Sequence, residues 1–186
     1  MEPVFKQIWE LARPYLDTRI NEIHTEIATS YAYELLEKEG GDKSIVIPAI
    51  ILHDIGWKMI PEDIQIKGFG PKKKSIEVKR RHETEGVKIA KSILKKVNYD
   101  KIKTEEILDI IDGHGTRKEA ISLNDKIVKD ADKLWRFSER GIRIDSERFC
   151  MTIKELLQKK TMDIDNIFFT ESAKDIAKEA IKKYLN

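Results

Sequence analysis

The chain has 186 residues and a single cysteine, Cys150, so no intramolecular disulfide can form and a small secreted fold stapled by cystines is excluded. An excess of one charge is also missing. The 35 Lys and Arg stand against 33 Asp and Glu, a formal net charge of +2, which argues against nucleic acid as the main partner. The longest apolar run, IVIPAIIL at 45–52, falls well short of the roughly 18 residues of a membrane span, so no membrane partner is expected. The opening stretch MEPVFKQIWELARPY, with Glu2 and Glu10, has no signal-peptide core, and the cytosol is the expected compartment. Internal repeats, low-complexity tracts and Gly/Ser linkers are not found, so a single domain over 1–186 is expected. What is present, 40% hydrophobic and 37% charged residues, describes a globular chain long enough to remove roughly 70% of its unfolded surface from water.

Apolar residues recur at spacings of three and four through nearly every segment, while sustained alternation is missing, so the fold is expected to be all-α. A first helix near 3–13 buries Phe5, Ile8, Trp9 and Ala12 and is ended or kinked by Pro14. Thr18 is the expected N-cap of a long second helix that stops at Gly40 and Gly41. A very apolar third helix runs from about Ser44 to Ile55, with Pro48 in its first turn. Residues 61–79 have weak periodicity, two glycines and two prolines, and read as a long exposed loop. Helices resume near 81–97 and 104–113, the latter opened by Thr104. Ser122 or Asn124 caps the helix that carries Ile127, Val128, Ala131 and Trp135, and two more helices follow near 145–160 and 171–185.

The four histidines, His24, His53, His82 and His114, each fall on the apolar stripe of their own helix. His24 shares a face with Ile20, Ile27 and Tyr31, and His82 with Gly86, Ala90 and Ile93. His114 follows Ile107, Ile110 and Ile111, and His53 ends the most hydrophobic run in the chain. Asp54 comes next, where an unpaired carboxylate would cost several kcal/mol to bury. Asp132 lies four residues after Val128 on an equally apolar helix. Burying four imidazoles and two carboxylates together makes physical sense if cations compensate them, and helical bundles build metal sites in this way.

The order His24, then HD at 53–54, His82, His114 and DADK at 130–133 resembles the HD-domain superfamily of metal-dependent phosphohydrolases. The segments AIILHDIGW, HETEGVKIAKSIL and IVKDADKL are similar to that family's text around its ligands, and the match spans about 20–136. The resemblance implies an HD-like helical core over those residues, a metal site at its centre, and an N-terminal helix and C-terminal helices packed on it. It implies that His24, His53, Asp54 and Asp132 hold one metal, and that Asp54 bridges to a second completed by His82 and His114. One or two divalent ions are then expected, with Fe, Mn, Co, Ni or Zn better suited to mixed imidazole and carboxylate ligands than Mg. The chain departs from the best-known subtypes at Trp57, where some members carry a catalytic Glu or Lys, and at Gly115, which rules out a second histidine for a third metal.

Such a pair of ions delivers a metal-bound hydroxide to a phosphate ester, with Asp54 as bridging ligand and orienter. A small phosphorylated substrate is therefore expected, a nucleotide among the candidates. Lys58, Lys133 and Arg136 stand close enough in sequence to the ligands to reach the mouth of the site and bind the phosphate, and Lys58 is expected to be catalytic together with Asp54; Arg19 is more weakly placed. The basic run KKKSIEVKRR at 72–81 leads into His82 and is positioned to gather anions. Trp57 and Trp135, each three residues after an acidic ligand, are either core residues or platforms for a nucleobase. Two other readings keep the same residues: a mixed-valent diiron oxygenase, and a nucleotide-sensing module without turnover. The first helix and the region after about 140 are expected to serve as packing only.

Overall fold

The computed structural model of the chain describes residues 2–69 and 75–185, which are helical from end to end with no strand among them. The order is α1 (Pro3–Leu16), α2 (Asn21–Glu39), α3 (Lys43–Leu52), a 3₁₀ turn (Ile55–Met59), α4 (Glu62–Phe69), α5 (Ile76–Lys96), α6 (Lys101–Ile111) and α7 (Leu123–Leu134). A second 3₁₀ turn (Trp135–Phe137) leads to α8 (Glu139–Phe149), α9 (Ile153–Thr161), α10 (Ile164–Ile167) and α11 (Glu171–Leu185).

The bundle is built around α3. Every residue from Ile45 to Leu52 is buried, as expected of a helix that is apolar all round, and α1, α2, α6 and α7 pack against it. Asp42 caps α3 by accepting from the Ser44 N–H. Pro48 lies inside this helix rather than in its first turn. Its missing N–H leaves the Ser44 carbonyl without the usual helical partner, and the Tyr99 hydroxyl donates to that carbonyl instead. On α5 the stripe His82, Gly86, Ala90 and Ile93 is buried as the periodicity requires. Ser122 caps α7. Gly40, with φ of 78°, ends α2 and donates its N–H to the Leu36 carbonyl.

Several boundaries differ from the sequence reading. Pro14 does not end α1; it sits in the last turn, and the helix continues to Leu16. Thr18 does not cap α2, because its hydroxyl is engaged with Gln65 and the chain passes through two left-handed residues, Arg19 and Ile20, before the helix starts at Asn21. Its buried face runs through His24, Ala28, Ala32 and Leu35, whereas Ile20 is exposed and Ile27 and Tyr31 are half-buried. The helix α3 stops at Leu52, three residues short of expectation, and α6 starts three residues earlier than Thr104, with Asp100 as its cap. The expected loop at 61–79 contains α4 and the start of α5, whose N-cap is Ser75; residues 70–74 of it lie outside the described residues. The C-terminal region divides into α8, α9, α10 and α11.

Candidate metal centre

Five segments bring the four histidines and two aspartates to one point. His24 projects from α2 and His82 from α5, both on buried stripes. His53 caps the C-terminus of α3, and Asp54 occupies the break before the 3₁₀ turn, so two adjacent residues can both face inward. His114 follows the end of α6, and Asp132 lies in the last turn of α7.

The distances divide the group in two about Asp54. On one side the Nε2 atoms of His24 and His53 are 2.9 Å apart, 3.3 and 3.4 Å from Asp132 Oδ1, and 3.6 and 3.8 Å from Asp54 Oδ2. On the other, the Nε2 atoms of His82 and His114 are 3.3 Å apart and 3.6 and 3.4 Å from Asp54 Oδ1. Donor atoms that share one ion at about 2.0–2.2 Å stand roughly 2.8–3.6 Å from one another, and all of these separations except that of His53 Nε2 from Asp54 Oδ2, at 3.8 Å, fall within that range. The ring orientations agree. His53 Nδ1 donates to the Ile50 carbonyl at 2.7 Å and His114 Nδ1 to the Ile111 carbonyl at 2.9 Å, which leaves each Nε2 lone pair facing the centre. The His/Asp cluster can therefore hold a metal.

The electrostatics of the cluster point the same way. Burial works against a charge on His53, but Asp54 and Asp132 outweigh it and push its pKa up to about 9. Burial, with His114 alongside, pushes His82 down to about 2, and burial lowers His24. Burial alone would raise Asp54 and Asp132; the surrounding histidines instead hold both well below the usual carboxylate range. The two carboxylates thus favour a positive charge at the centre of the cluster.

A family model for the HD domain matches residues 21–136, more than half of the chain. The chain belongs to the HD domain family. Among solved structures, the crystal structure of a predicted HD superfamily hydrolase from an uncultured Thermotogales bacterium has a similar fold. Its TM-score is 0.64 and its identity 21%, covering 97% of this chain and 86% of that one. No curated protein matches the chain.

Above the HD-domain cluster lies a cavity of about 260 Å³. His24, Asp54, His82, His114 and Asp132 line its floor, and Arg19, Lys79, Lys133, Arg136 and Arg148 line its wall. Lys133 and Arg136 both reach this cavity, and both have other partners. The Lys133 ammonium donates to the Ile167 carbonyl and lies 4.7 Å from the Phe169 ring centre. Arg136 Nη1 donates to both oxygens of buried Asp145, at 2.8 and 3.0 Å. Lys58 corrects the expectation. The chain changes from α-helix to 3₁₀ turn after Asp54, which rotates Trp57 inward and Lys58 outward, and its ammonium donates to the Asp17 carbonyl at 2.9 Å.

Trp57 has a role the sequence did not suggest. Its Nε1 donates to Asp54 Oδ1 at 3.0 Å, its ring stacks on His82 at 4.0 Å and 14°, and the Arg19 guanidinium lies 3.9 Å from its ring centre. An indole so occupied fixes the carboxylate and offers no open platform to a nucleobase. Trp135 is buried edge-on against His24, at 4.9 Å and 74°. Of the basic run, Lys72–Lys74 lie outside the described residues, Lys79 reaches the cavity and Arg80 turns to Glu83 and Asp112.

Other residues were missed. Glu83, fully buried beside His82, accepts from the Gly115 N–H at 2.9 Å and the Thr116 hydroxyl at 2.7 Å. Buried Lys129 donates to the carbonyls of Gly113, His114 and Arg117. Together they clamp the turn that carries His114. A signal existed: Glu83 and Lys129 are charged residues on the inward stripes of α5 and α7. Arg148 was hidden in a region expected to serve as packing only.

Proposed function

We propose that the protein is a metal-dependent phosphohydrolase acting on a phosphate ester of a nucleotide or other small metabolite. The observation that carries this reading is the division of Asp54, one oxygen toward His24 and His53 and the other toward His82 and His114, beneath a wall of cations. His24, His53, Asp54 and Asp132 would hold one divalent ion, and Asp54, His82 and His114 a second. When bound, such ions acidify a water at neutral pH and offset the charge of a phosphoryl group under attack.

The chain's own residues do the rest. Asp54, fixed by the Trp57 N–H, keeps the two halves in register. His53 and His114 are held in the ligating tautomer by their carbonyl partners. Arg19, Lys79 and Arg148 give the cavity an anion-seeking wall, with Lys133 and Arg136 as further positive groups. This wall suits an anionic substrate and so speaks against an oxygenase acting on a neutral polyol; a phosphonate would be attracted as a phosphate is, and turnover separates the two.

The test is phosphate release from p-nitrophenyl phosphate and a panel of nucleotides and sugar phosphates, with Mn-, Co- and Fe-loaded protein and Asp54→Ala as the blank. Metal-dependent release by wild type alone is expected. Consumption of O₂ by the iron-loaded protein with a phosphonate or polyol, without hydrolysis, would replace the hydrolase by the oxygenase. Tight nucleotide binding without turnover would replace it by the sensing module.

A further inference from the structure

Five of the residues that line the cavity are cations: Arg19, Lys79, Lys133, Arg136 and Arg148. Its two lining carboxylates are Asp54, which lies between the two histidine pairs, and Asp132, which lies beside His24 and His53. Arg136 is partly met by Asp145, but that acid is shared with Lys160 at 3.1 Å, so one carboxylate faces two cations there. A phosphate monoester brings a charge of about −2, which the metal side alone would absorb.

Three of the cations are guanidiniums from separate segments: Arg19 before α2, Arg136 in the second 3₁₀ turn and Arg148 near the end of α8. Arg19 is placed at a backbone cost. It and Ile20 have φ of 53° and 66°, left-handed conformations that cost a residue with a Cβ roughly 1–2 kcal/mol each. Such strain persists where the surroundings over-determine it, and it clusters at functional sites. Here it directs the guanidinium onto Trp57, which is itself bonded to Asp54, so the position of Arg19 is fixed relative to the bridging carboxylate.

We propose that Arg19, Arg136 and Arg148 form a second anion subsite, so that the substrate is a small molecule with at least two phosphate groups, one over Asp54 and one at the arginines. The proposal rests on the hydrolase reading for the first phosphate only. Arginine forks match phosphate oxygens two at a time, which suits a fixed second group better than diffuse attraction. Burial, with Arg148 and Arg136 adding repulsion, pulls the Arg19 pKa down to about 10, and burial with Arg136 lowers Arg148. An anion bound among the three relieves that repulsion. The cavity volume of about 260 Å³ sits below the usual range for drug-sized ligands and keeps the substrate small.

The test uses two probes whose P–C bonds resist hydrolysis, methylphosphonate and methylenebisphosphonate, titrated calorimetrically into Mn-loaded protein. Wild type should bind the bisphosphonate at least about 30-fold more tightly, and Arg19→Gln should cut that advantage to about 3-fold or less, a loss of the size that charge-assisted hydrogen bonds produce. Arg148→Gln should reduce it too, and serves as the deciding variant if Arg19→Gln does not fold. No advantage in wild type, or an advantage retained in the folded variants, overturns the subsite, since the metals alone would then explain binding. Hydrolysis of p-nitrophenyl phosphate by wild type is measured alongside. Turnover without the bisphosphonate preference removes the subsite and leaves the hydrolase, whereas a preference lost in the variants without turnover of any ester supports the subsite and removes the hydrolase.

Discussion

Asp54 holds its place through three kinds of contact: the Trp57 N–H, two histidines on each side, and the Asn21 amide, which donates to its backbone carbonyl at 3.4 Å. A proton on His53 competes with metal for the same centre. Because the His53 pKa is raised to about 9, divalent metal should bind more tightly as pH rises from about 6.5 to 9, approaching tenfold per unit, and binding at pH 7 should release close to one proton. The stability of the metal-free protein should move the other way. A raised folded-state pKa contributes stability fully present below the unfolded value of about 6.5 and lost as pH rises through 9. Calorimetry in buffers of different ionisation enthalpy measures the proton count, and parallel melts check the opposite slopes; zero proton release at pH 7 would refute the assignment.

The turn bearing His114 is a second matter of single residues. Lys129 supplies three donors to its backbone and Glu83 accepts from its other side. Lys129→Met preserves the stem and removes the donors, leaving three buried carbonyls poorly paired. It should weaken the His82/His114 site by about 10- to 100-fold while sparing the site that includes His24, His53 and Asp132. A metal titration showing one site lost and one kept is the expected result; equal weakening of both would make the effect general destabilisation.

The change of helix type after α3 explains what was and was not legible among the elements. The histidines could be placed from the sequence because each continues an apolar stripe, and a stripe survives small errors in helix ends. Lys58 could not, because the letters put it just past a helix end near Ile55, whereas the helix stops at Leu52 and a 3₁₀ turn from Ile55 carries the Lys58 side chain outward. Arg19 was equally obscure: nothing in the letters at 18–20 announces two left-handed residues where Thr18 offers an ordinary cap. Gly56 lets the 3₁₀ turn approach the α5 backbone closely. A Cβ there would stand 1.9 Å from the His82 carbonyl oxygen and 2.5 Å from the Gly86 nitrogen, so the turn lies directly on the α5 backbone. Gly56→Ala should cost about 3 kcal/mol, read by denaturant unfolding, and should displace His82. Ile20→Gly should act in the opposite sense, gaining about 1 kcal/mol by relieving a left-handed β-branched residue whose side chain is exposed. A loss of stability there would mean that Ile20 is not strained.

At the scale of the molecule, the metal centre and the C-terminal helices tie distant parts of the chain together. Asp130, two residues before Asp132, accepts from the Phe169 and Thr170 N–H groups and the Thr170 hydroxyl, and so fixes the start of α11 to α7. Asp145 of α8 holds Arg136 after α7 and Lys160 of α9. The cluster itself joins α2, the end of α3, α5, the turn after α6 and α7, segments that share no local contact in sequence. Any ion that binds there and not to the unfolded chain must stabilise the whole arrangement. Free metal at one hundred times its dissociation constant contributes about 2.7 kcal/mol. For a chain of this size that corresponds to a rise in melting temperature of roughly 5–10 °C, reversed by a chelator. Asp54→Ala, which removes the residue shared by both halves, should abolish nearly all of the rise, while His114→Ala should keep the part due to the other half. If Asp54→Ala melts higher with metal by as much as wild type, the ion that stabilises the protein binds somewhere other than this centre, and the dinuclear reading falls with it.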